Sequence, residues 1–258
     1  MKKNAFTLVE LLVVIVIVSI LASLLLPVLS VAKSKGKAIK CLNNLRQIEL
    51  AMNLYVHDTG FFPVLATSPD NIYPIGKKWY EDVRGYTSSA WTNGINICPT
   101  YDGPMFDGAW EGRSHFYISF GSYAYNVGSA DALGRYKYGL GGSFEDNALY
   151  SGNVVKESQV LNPSDMIVSG DSFCKFPNSN VILEWFEILS RQIHNDSQFT
   201  NLVQFQKGPK LRHSGKISVS FFDGHVESIK YEKLFLSKQI QDLRRWHSDN
   251  QPHLEIIR

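Results

Sequence analysis

Polar and apolar positions follow three different rhythms along the 258-residue chain. Between Lys3 and Lys33 the only charge is Glu10, and from Leu11 to Leu26 only Ser19 and Ser23 interrupt an apolar run. About 20 apolar residues cross a hydrocarbon layer of roughly 30 Å, so this segment predicts a membrane-spanning helix; a buried core helix would be shorter and striped. From Ala38 a stripe does begin. Cys41, Leu42, Leu45, Ile48, Met52, Tyr55 and Val56 recur at steps of three and four, with Lys37, Lys40, Asn44 and Arg46 mostly off it. The spanning helix is therefore expected to continue to about His57, where Asp58-Thr59-Gly60 and Pro63 supply stop signals. At about 1.5 Å per residue, such a helix makes a rod of roughly 75 Å.

The third rhythm has period two. Lys216 to Phe222 alternates, then comes Asp223-Gly224, then His225 to Ile229. Asp-Gly between two such runs predicts a hairpin with a two-residue type I′ turn, pairing Phe222 with His225 and Phe221 with Val226. On that register Ile217, Val219, Phe221 and Val226 share one face, expected to pack on the rod. Asp165 to Ser169, after Asn162-Pro163, reads as another strand, and Tyr231 to Trp246 as a surface or capping helix with Leu236, Ile240 and Leu243 at helical spacing and Lys233, Lys238, Arg244 and Arg245 outside. Residues 60–152 are rich in Gly, Pro, Asn, Asp and aromatics; 181–205 are aromatic and poorly periodic, and nothing assigns them a partner. The expected fold is α+β, a long N-terminal helix with an antiparallel β-sheet head.

Composition adds mainly exclusions. With 26 basic and 24 acidic side chains there is no clustered basic excess of the kind a nucleic-acid surface needs, and three cysteines cannot staple a scaffold. The apolar segment could be a secretory signal cut near Ser30-Val31-Ala32, but such apolar regions usually run about 7 to 15 residues and carry no carboxylate at their start. Glu10 is the anomaly. A carboxylate at the hydrocarbon edge costs on the order of 2 to 3 kcal/mol unless it finds a partner or reaches headgroup water. Pro27 removes one helical hydrogen bond and predicts a kink, a locally extended stretch, or simply the end of the membrane helix.

The string MKKNAFTLVELLVVIVIVSILASLLLPVL resembles the N-terminus of type IV prepilins and type II secretion pseudopilins: a short basic leader, a small residue, Phe, then Thr-Leu-Val-Glu-Leu-Leu and an apolar helix. The resemblance implies that a prepilin peptidase cuts between Ala5 and Phe6 and methylates the new amine of Phe6. Most prepilins have Gly before the cut, where this chain has Ala5. It further implies that Glu10 neutralises the N-terminal amine of a neighbouring subunit during assembly, and that Pro27 kinks the packed helix. Residues 1–5 would be the leader, 6–57 the membrane and stalk helix, and 58–258 an extracytoplasmic head. Loss of Lys2 and Lys3 would leave 24 basic against 24 acidic residues. Lys33, Lys35, Lys37 and Lys40 outnumber the leader lysines and by the positive-inside tendency would put the head in the cytoplasm; the resemblance implies the opposite, an inner-membrane single-pass chain with its head in the periplasm, or at the cell surface after assembly.

A second resemblance covers more of the chain. Cys41-Leu42-Asn43-Asn44-Leu45-Arg46-Gln47-Ile48, Cys98-Pro99, Ser122-Tyr123-Ala124-Tyr125-Asn126, and His213 followed after nine residues by Asp223-Gly224 are similar to motifs shared by a large group of bacterial prepilin-like proteins. There His213, Asp223 and Gly224 are structural marks, the first two joining the ends of the penultimate strand by hydrogen bonds. Cys41 lies just past the bilayer on the head-facing stripe and Cys98 precedes a proline, so a Cys41–Cys98 disulfide is expected, with buried free thiols as the alternative and Cys174 left over.

Candidate chemistry is sparse. His213, Asp223, His225 and Asp171 could hold a divalent ion if the strands gathered them, yet their spacing matches no ligand pattern and an Asp-Gly turn explains Asp223 by itself. There is no Gly-x-Ser-x-Gly elbow, and Gly139-Leu140-Gly141-Gly142 lacks a phosphate-loop lysine. Asp102, Asp107, Asp131 and Asp146 form no EF-type loop. The expectation is a structural subunit rather than an enzyme, needing no cofactor, with calcium in the head left open. Its partners would be prepilin peptidase, other pilin or pseudopilin subunits, the secretion or pilus assembly machinery and the membrane, and not nucleic acid. The alternative is a surface or tip adhesin whose Trp79, Trp91, Trp110 and Trp185 stack on carbohydrate; a membrane-anchored hydrolase using His213 or Asp223 is a third class.

Overall fold

The computed structural model describes residues 7–64, 79–90, 92–101, 106–109, 117–120, 122–130, 136–141, 154–172, 188–190 and 212–254. Helix α1 (Leu8–Thr59) is one continuous rod of 52 residues, about 78 Å long. Thr7 caps it: its Oγ1 accepts from the Glu10 N–H at 3.3 Å while its own N–H donates to Glu10 Oε2 at 2.8 Å. This reciprocal box satisfies two of the donors that every helix start leaves orphaned. Helical backbone continues through Pro27 with no extended break. The rod ends two residues beyond the expected His57, where Gly60 takes φ +77° and its N–H donates to the Val56 carbonyl at 2.7 Å. That left-handed turn suits a residue without a Cβ.

Only the distal part of α1 is covered. Cys41, Leu45, Ile48, Ala51, Met52 and Val56 are buried against the head, and Asn44 and Glu49 are buried with them. Asn44 therefore belongs to the stripe rather than off it; its Nδ2 donates to the Ile97 carbonyl at 2.8 Å, which makes burial of the amide tolerable. Helix α2 (Trp79–Thr87) lies beside the end of the rod, with Tyr86 Oη donating to Asp58 Oδ2 at 2.8 Å and its ring edge-on to Tyr55.

The head is α+β, as its sequence predicts. Strands β1 (Phe106–Ala109) and β2 (Tyr117–Phe120) pair as a separate antiparallel ribbon. The main sheet contains β3 (Tyr123–Ala130), β4 (Tyr136–Tyr138), β5 (Ile167–Asp171), β6 (Ile188–Ser190), β7 (Lys216–Phe221) and β8 (Val226–Lys230). Its antiparallel order is β4-β3-β5-β7-β8, and β6 adds the one parallel pairing, to β3. Of residues 181–205 only β6 is described, so that stretch contributes a strand the sequence did not announce.

Three layers result. On one face of the sheet, Tyr123, Tyr125, Val168 and Phe222 pack with α1, Phe62 and Trp79. On the other, Ala124, Ile167, Ile217, Val219, Phe221 and Ile229 pack under Tyr231, Phe235 and Trp246. The last three come from a broken segment, a wide turn at Glu232–Leu236, a short helix α3 (Ile240–Leu243) and a final turn at Arg244–Trp246, where one helix was expected. Arg245 anchors that segment, bridging Asp165 at 3.1 Å and Glu227 at 3.0 Å while lying over the Phe221 ring.

The hairpin register differs from expectation by one residue. Ser220 pairs with Val226 and Val219 with Glu227, and among the loop residues only Gly224 has positive φ, +90°. A type I′ turn would require it at Asp223 as well; instead Phe222-Asp223-Gly224 form a three-residue loop, with the Gly224 N–H donating to the Phe221 carbonyl and the His225 N–H to Asp223 Oδ1. Because side chains alternate, the slip puts Val226 on the Ser220 face instead of the Phe221 face; β7 itself presents Ile217, Val219 and Phe221 away from the rod, under the C-terminal segment, and Ser220 toward it.

This inversion explains Glu49. Ser220 Oγ donates to Glu49 Oε2 at 3.0 Å, Asn53 Nδ2 donates to Oε1 at 3.1 Å, and Ser220 and Ser169 hydroxyls lie 2.8 Å apart. The carboxyl is fully buried. Burial pushes it up to about 8, against the hydrogen bonds of Ser220 and Asn53 and with the help of Asp223. Glu49 in an unfolded chain titrates near 4.5, so its contribution to stability is fully present below that pH and is lost as pH rises through about 8. Glu49→Gln should flatten this slope: on the order of a few kcal/mol more stable than the parent at pH 9 and little changed at pH 4, by denaturant unfolding at both pH values. Equal pH slopes for the two proteins would refute the buried-acid account.

Candidate functional site

Two places carry the residues of interest: the bare half of α1, and a buried node that clamps the other half to the head. In the bare half, eighteen Leu, Val and Ile side chains from Leu8 to Val31 are 48–80% exposed. Among the described residues α1 alone is long and apolar enough to cross a membrane. Ser19 and Ser23 do not spoil it, since their hydroxyls donate to the Ile15 and Ile20 carbonyls within the helix. At its head Glu10 is exposed, and both contacts from Thr7, N–H and Oγ1, go to Oε2 at 2.8 Å. Thr7 was missed by pattern reading, although Thr-x-x-Glu before an apolar run is the signature of a capping box. Ala5 and Phe6 lie outside the described residues.

The clamp starts with Cys41 and Cys98, joined as a disulfide with Cα atoms 4.9 Å apart across a separation of 57 residues. Motif residues of β3 hold both sides. Tyr123 Oη donates to the Cys41 carbonyl at 3.2 Å, while Ser122 Oγ accepts the Cys98 N–H at 2.8 Å and donates to the Asn96 carbonyl. Tyr125 Oη reaches the Pro63 carbonyl at 3.1 Å, just past the rod's end. Asn126 Nδ2 ties the strand to the Ile167 and Trp246 carbonyls. Each polar residue of Ser-Tyr-Ala-Tyr-Asn thus closes a long-range contact.

Beside the disulfide sit Arg212, His213 and Asp171. A tight turn with positive φ at His213 (+47°), Ser214 (+59°) and Gly215 (+84°) leads into β7 and aims the imidazole inward. Asp171, at the end of β5, accepts from Arg212 Nη2 at 3.0 Å and from the Ser218 N–H at 2.7 Å, and lies 3.4 Å from His213 Nε2. Burial alone would lift this carboxyl, but Arg212, His213 and the Ser218 N–H together hold it below the usual carboxylate range. Arg212 also donates from Nη1 to the Ser172 carbonyl at 2.7 Å and covers the Tyr101 ring.

The four-residue metal or catalytic constellation does not assemble. His213 meets Asp171 before β7, whereas Asp223 meets His225 after it; six residues of strand, roughly 20 Å, separate the pairs. His213 and Asp223 accordingly do not bond each other but fasten opposite ends of the strand. Of the tryptophans proposed to stack on carbohydrate, Trp79 is fully buried and stacked on Tyr125 with centroids 5.3 Å apart. Trp91, Trp110, Trp185, Cys174, Asp102, Asp131 and Asp146 lie outside the described residues.

Residues 1–26 match the family model of the prokaryotic N-terminal methylation motif. The chain is prepilin-like at its N-terminus. No curated protein and no solved structure matches it. The matched residues take in the whole apolar run from Leu11 to Leu26, which the head leaves uncovered, and together with that uncovered helix the match supports membrane anchoring of a prepilin-like chain.

Two outcomes follow for the clamp. Reducing the disulfide in the presence of a chelator should lower stability by about 4 kcal/mol, the chain-entropy figure for a loop of this length, measured by urea unfolding. Arg212→Ala strands the buried Asp171 carboxylate and should cost about 3 to 5 kcal/mol in the same assay; a loss under 1 kcal/mol would show that the ion pair is not what holds the node.

Proposed function

We propose that the protein is a structural pilin-like subunit. Prepilin peptidase removes residues 1–5 by cutting between Ala5 and Phe6, the new Phe6 amine is methylated, and the mature chain enters a type II secretion pseudopilus or type IV pilus-like filament through α1. The observation that carries this reading is the union, in one segment, of a methylation motif with a helix whose N-terminal half is apolar and uncovered while its other half is locked to a folded head. Such a rod needs lipid before assembly and sister rods after it. Packing one surface of a subunit against a different surface of the next generates an open helical assembly. The head, residues 58–258, would then decorate the filament, having reached the periplasm or the cell surface, and would perform no reaction itself.

Glu10 supplies the ordering step. In low dielectric a carboxylate beside a neighbour's ammonium is far more strongly held than in water, and each charge removes the other's desolvation cost. Pro27, which cannot complete the local hydrogen bond, is the point at which the packed helix can bend.

N-terminal mass spectrometry of the chain isolated from membranes should find methylated Phe6. A start at Lys33, or an intact Met1, would overturn the maturation proposed. Glu10→Gln should leave membrane insertion and head folding intact yet reduce sheared filament at least tenfold by immunoblot, and undiminished filament would remove Glu10 from the assembly step.

A further inference from the structure

The clamp contains more ligating chemistry than a structural disulfide uses. Cys98 Sγ lies 3.6 Å from His213 Nε2, and the two cysteine sulfurs and this nitrogen all fall within 4.8 Å of one another. Thr100 Oγ1 completes the group at 3.3 Å from His213 Nε2, 3.0 Å from Cys98 Sγ and 3.7 Å from Cys41 Sγ. A tetrahedral zinc ion with arms of about 2.3 Å to sulfur and 2.0 Å to nitrogen sets its sulfur and nitrogen ligands roughly 3.5 Å apart. The observed 3.6 Å edge already has that length.

Apart from its approach to Asp171, the imidazole makes only long contacts. The His213 side chain is 2% exposed, its Nδ1 has no hydrogen-bond partner among the described residues, and the nearest approaches to Nε2 are 3.3 to 3.6 Å, longer than a good hydrogen bond. A buried polar ring normally makes at least one well-formed bond. Here a turn with two non-glycine residues at positive φ delivers it to the sulfurs instead.

We propose that Cys41, Cys98 and His213 form a site for a thiophilic divalent cation, zinc above all, in the dithiol form of the chain. Thr100 or a water at its position fills the fourth corner. Two thiolates balance the dication, and the adjoining Arg212–Asp171 pair is itself neutral, so the buried site carries no net charge. On binding, two S–H bonds give way to two S–metal bonds and two protons leave. On oxidation, two electrons pass from the thiolates to a protein disulfide, which takes up two protons and departs as a dithiol; the S–S bond of Cys41 and Cys98 forms and the cation is released. Metal and disulfide are therefore mutually exclusive ways of closing the same loop, and the metal form can hold rod and head together before the disulfide exists.

The test uses the full chain in detergent under anaerobic conditions. The phosphine-reduced protein should bind Co(II) in equimolar amount, with a thiolate charge-transfer band and the intense visible bands of tetrahedral cobalt; the oxidised protein should give neither. With zinc, X-ray absorption of the wild-type chain should show sulfur scatterers at about 2.3 Å with a nitrogen shell at about 2.0 Å. His213→Gln should weaken Co(II) binding tenfold or more, and should that variant not fold, the absorption shell of the wild type decides. Absence of a sulfur shell, equal cobalt binding by oxidised protein, or unaltered affinity in a folded His213→Gln chain would each overturn the site.

Discussion

A helix of 52 residues whose head covers only one part of it imposes the governing constraint on this molecule. Full burial of a Val, Leu or Ile side chain is worth on the order of 1.5 to 3 kcal/mol, so the eighteen exposed between Leu8 and Val31 represent tens of kcal/mol of unsatisfied hydrophobic driving force. Net stabilities of folded domains are about 5 to 15 kcal/mol. No adjustment of the head can absorb a term of that size. The bare half must therefore be solvated by something outside the chain, and lipid tails and other apolar helices are the two solvents that fit a uniformly greasy cylinder.

The covered half faces a different demand. In the filament proposed, a rod pulled on by its neighbours would have to be joined to its head in one rotational setting, and an apolar stripe alone permits slippage between near-equivalent seats. Polar groups remove that freedom because they must meet particular partners. Asn44 finds the Ile97 carbonyl, and Glu49 finds Ser220 on the middle of the sheet. Their burial costs stability, most visibly at high pH for Glu49, in exchange for a defined register. The Cys41–Cys98 link then closes the same seam covalently, at the end where the rod leaves the head.

Much of this was legible from residue order. The rod, its stop signal and the strand content of 165–169 and 216–229 reflect local periodicity, whereas the nearness of Cys41 to Cys98, 57 residues apart, is expected alongside the shared motifs and not from any local pattern. What escaped has a common cause: it depends on which face of the sheet meets the rod. Alternation in Ile217-Ser218-Val219-Ser220-Phe221 shows two faces but not their destinations, and the apolar one is naturally assigned to the nearest known helix. The C-terminal segment, carrying Tyr231, Phe235 and Trp246, claims it instead. Glu49 held the clue, since a carboxyl at stripe spacing between Leu45 and Met52 needs a polar surface opposite, and Ser218 and Ser220 provide one. Asp-Gly marked the hairpin correctly while leaving its loop length open, because Gly224 serves a bulged three-residue turn as readily as a type I′ pair.

The same distinction between local and long-range satisfaction applies to Glu10. Thr7 already bonds its Oε2 twice, so the free chain does not carry a bare carboxylate at the membrane edge. Hydrogen bonds to a neutral hydroxyl and amide lower the cost of the charge without cancelling it. A carboxylate offers roughly four acceptor positions over two oxygens, and the capping box engages only Oε2. Among the described residues Oε1 has no hydrogen-bond partner, which in the filament proposed would leave it for a cation. The box would thus fix the carboxylate's rotamer in advance, so that a neighbouring amine meets an acid already oriented, and the entropy otherwise lost on pairing has been removed when the helix first forms.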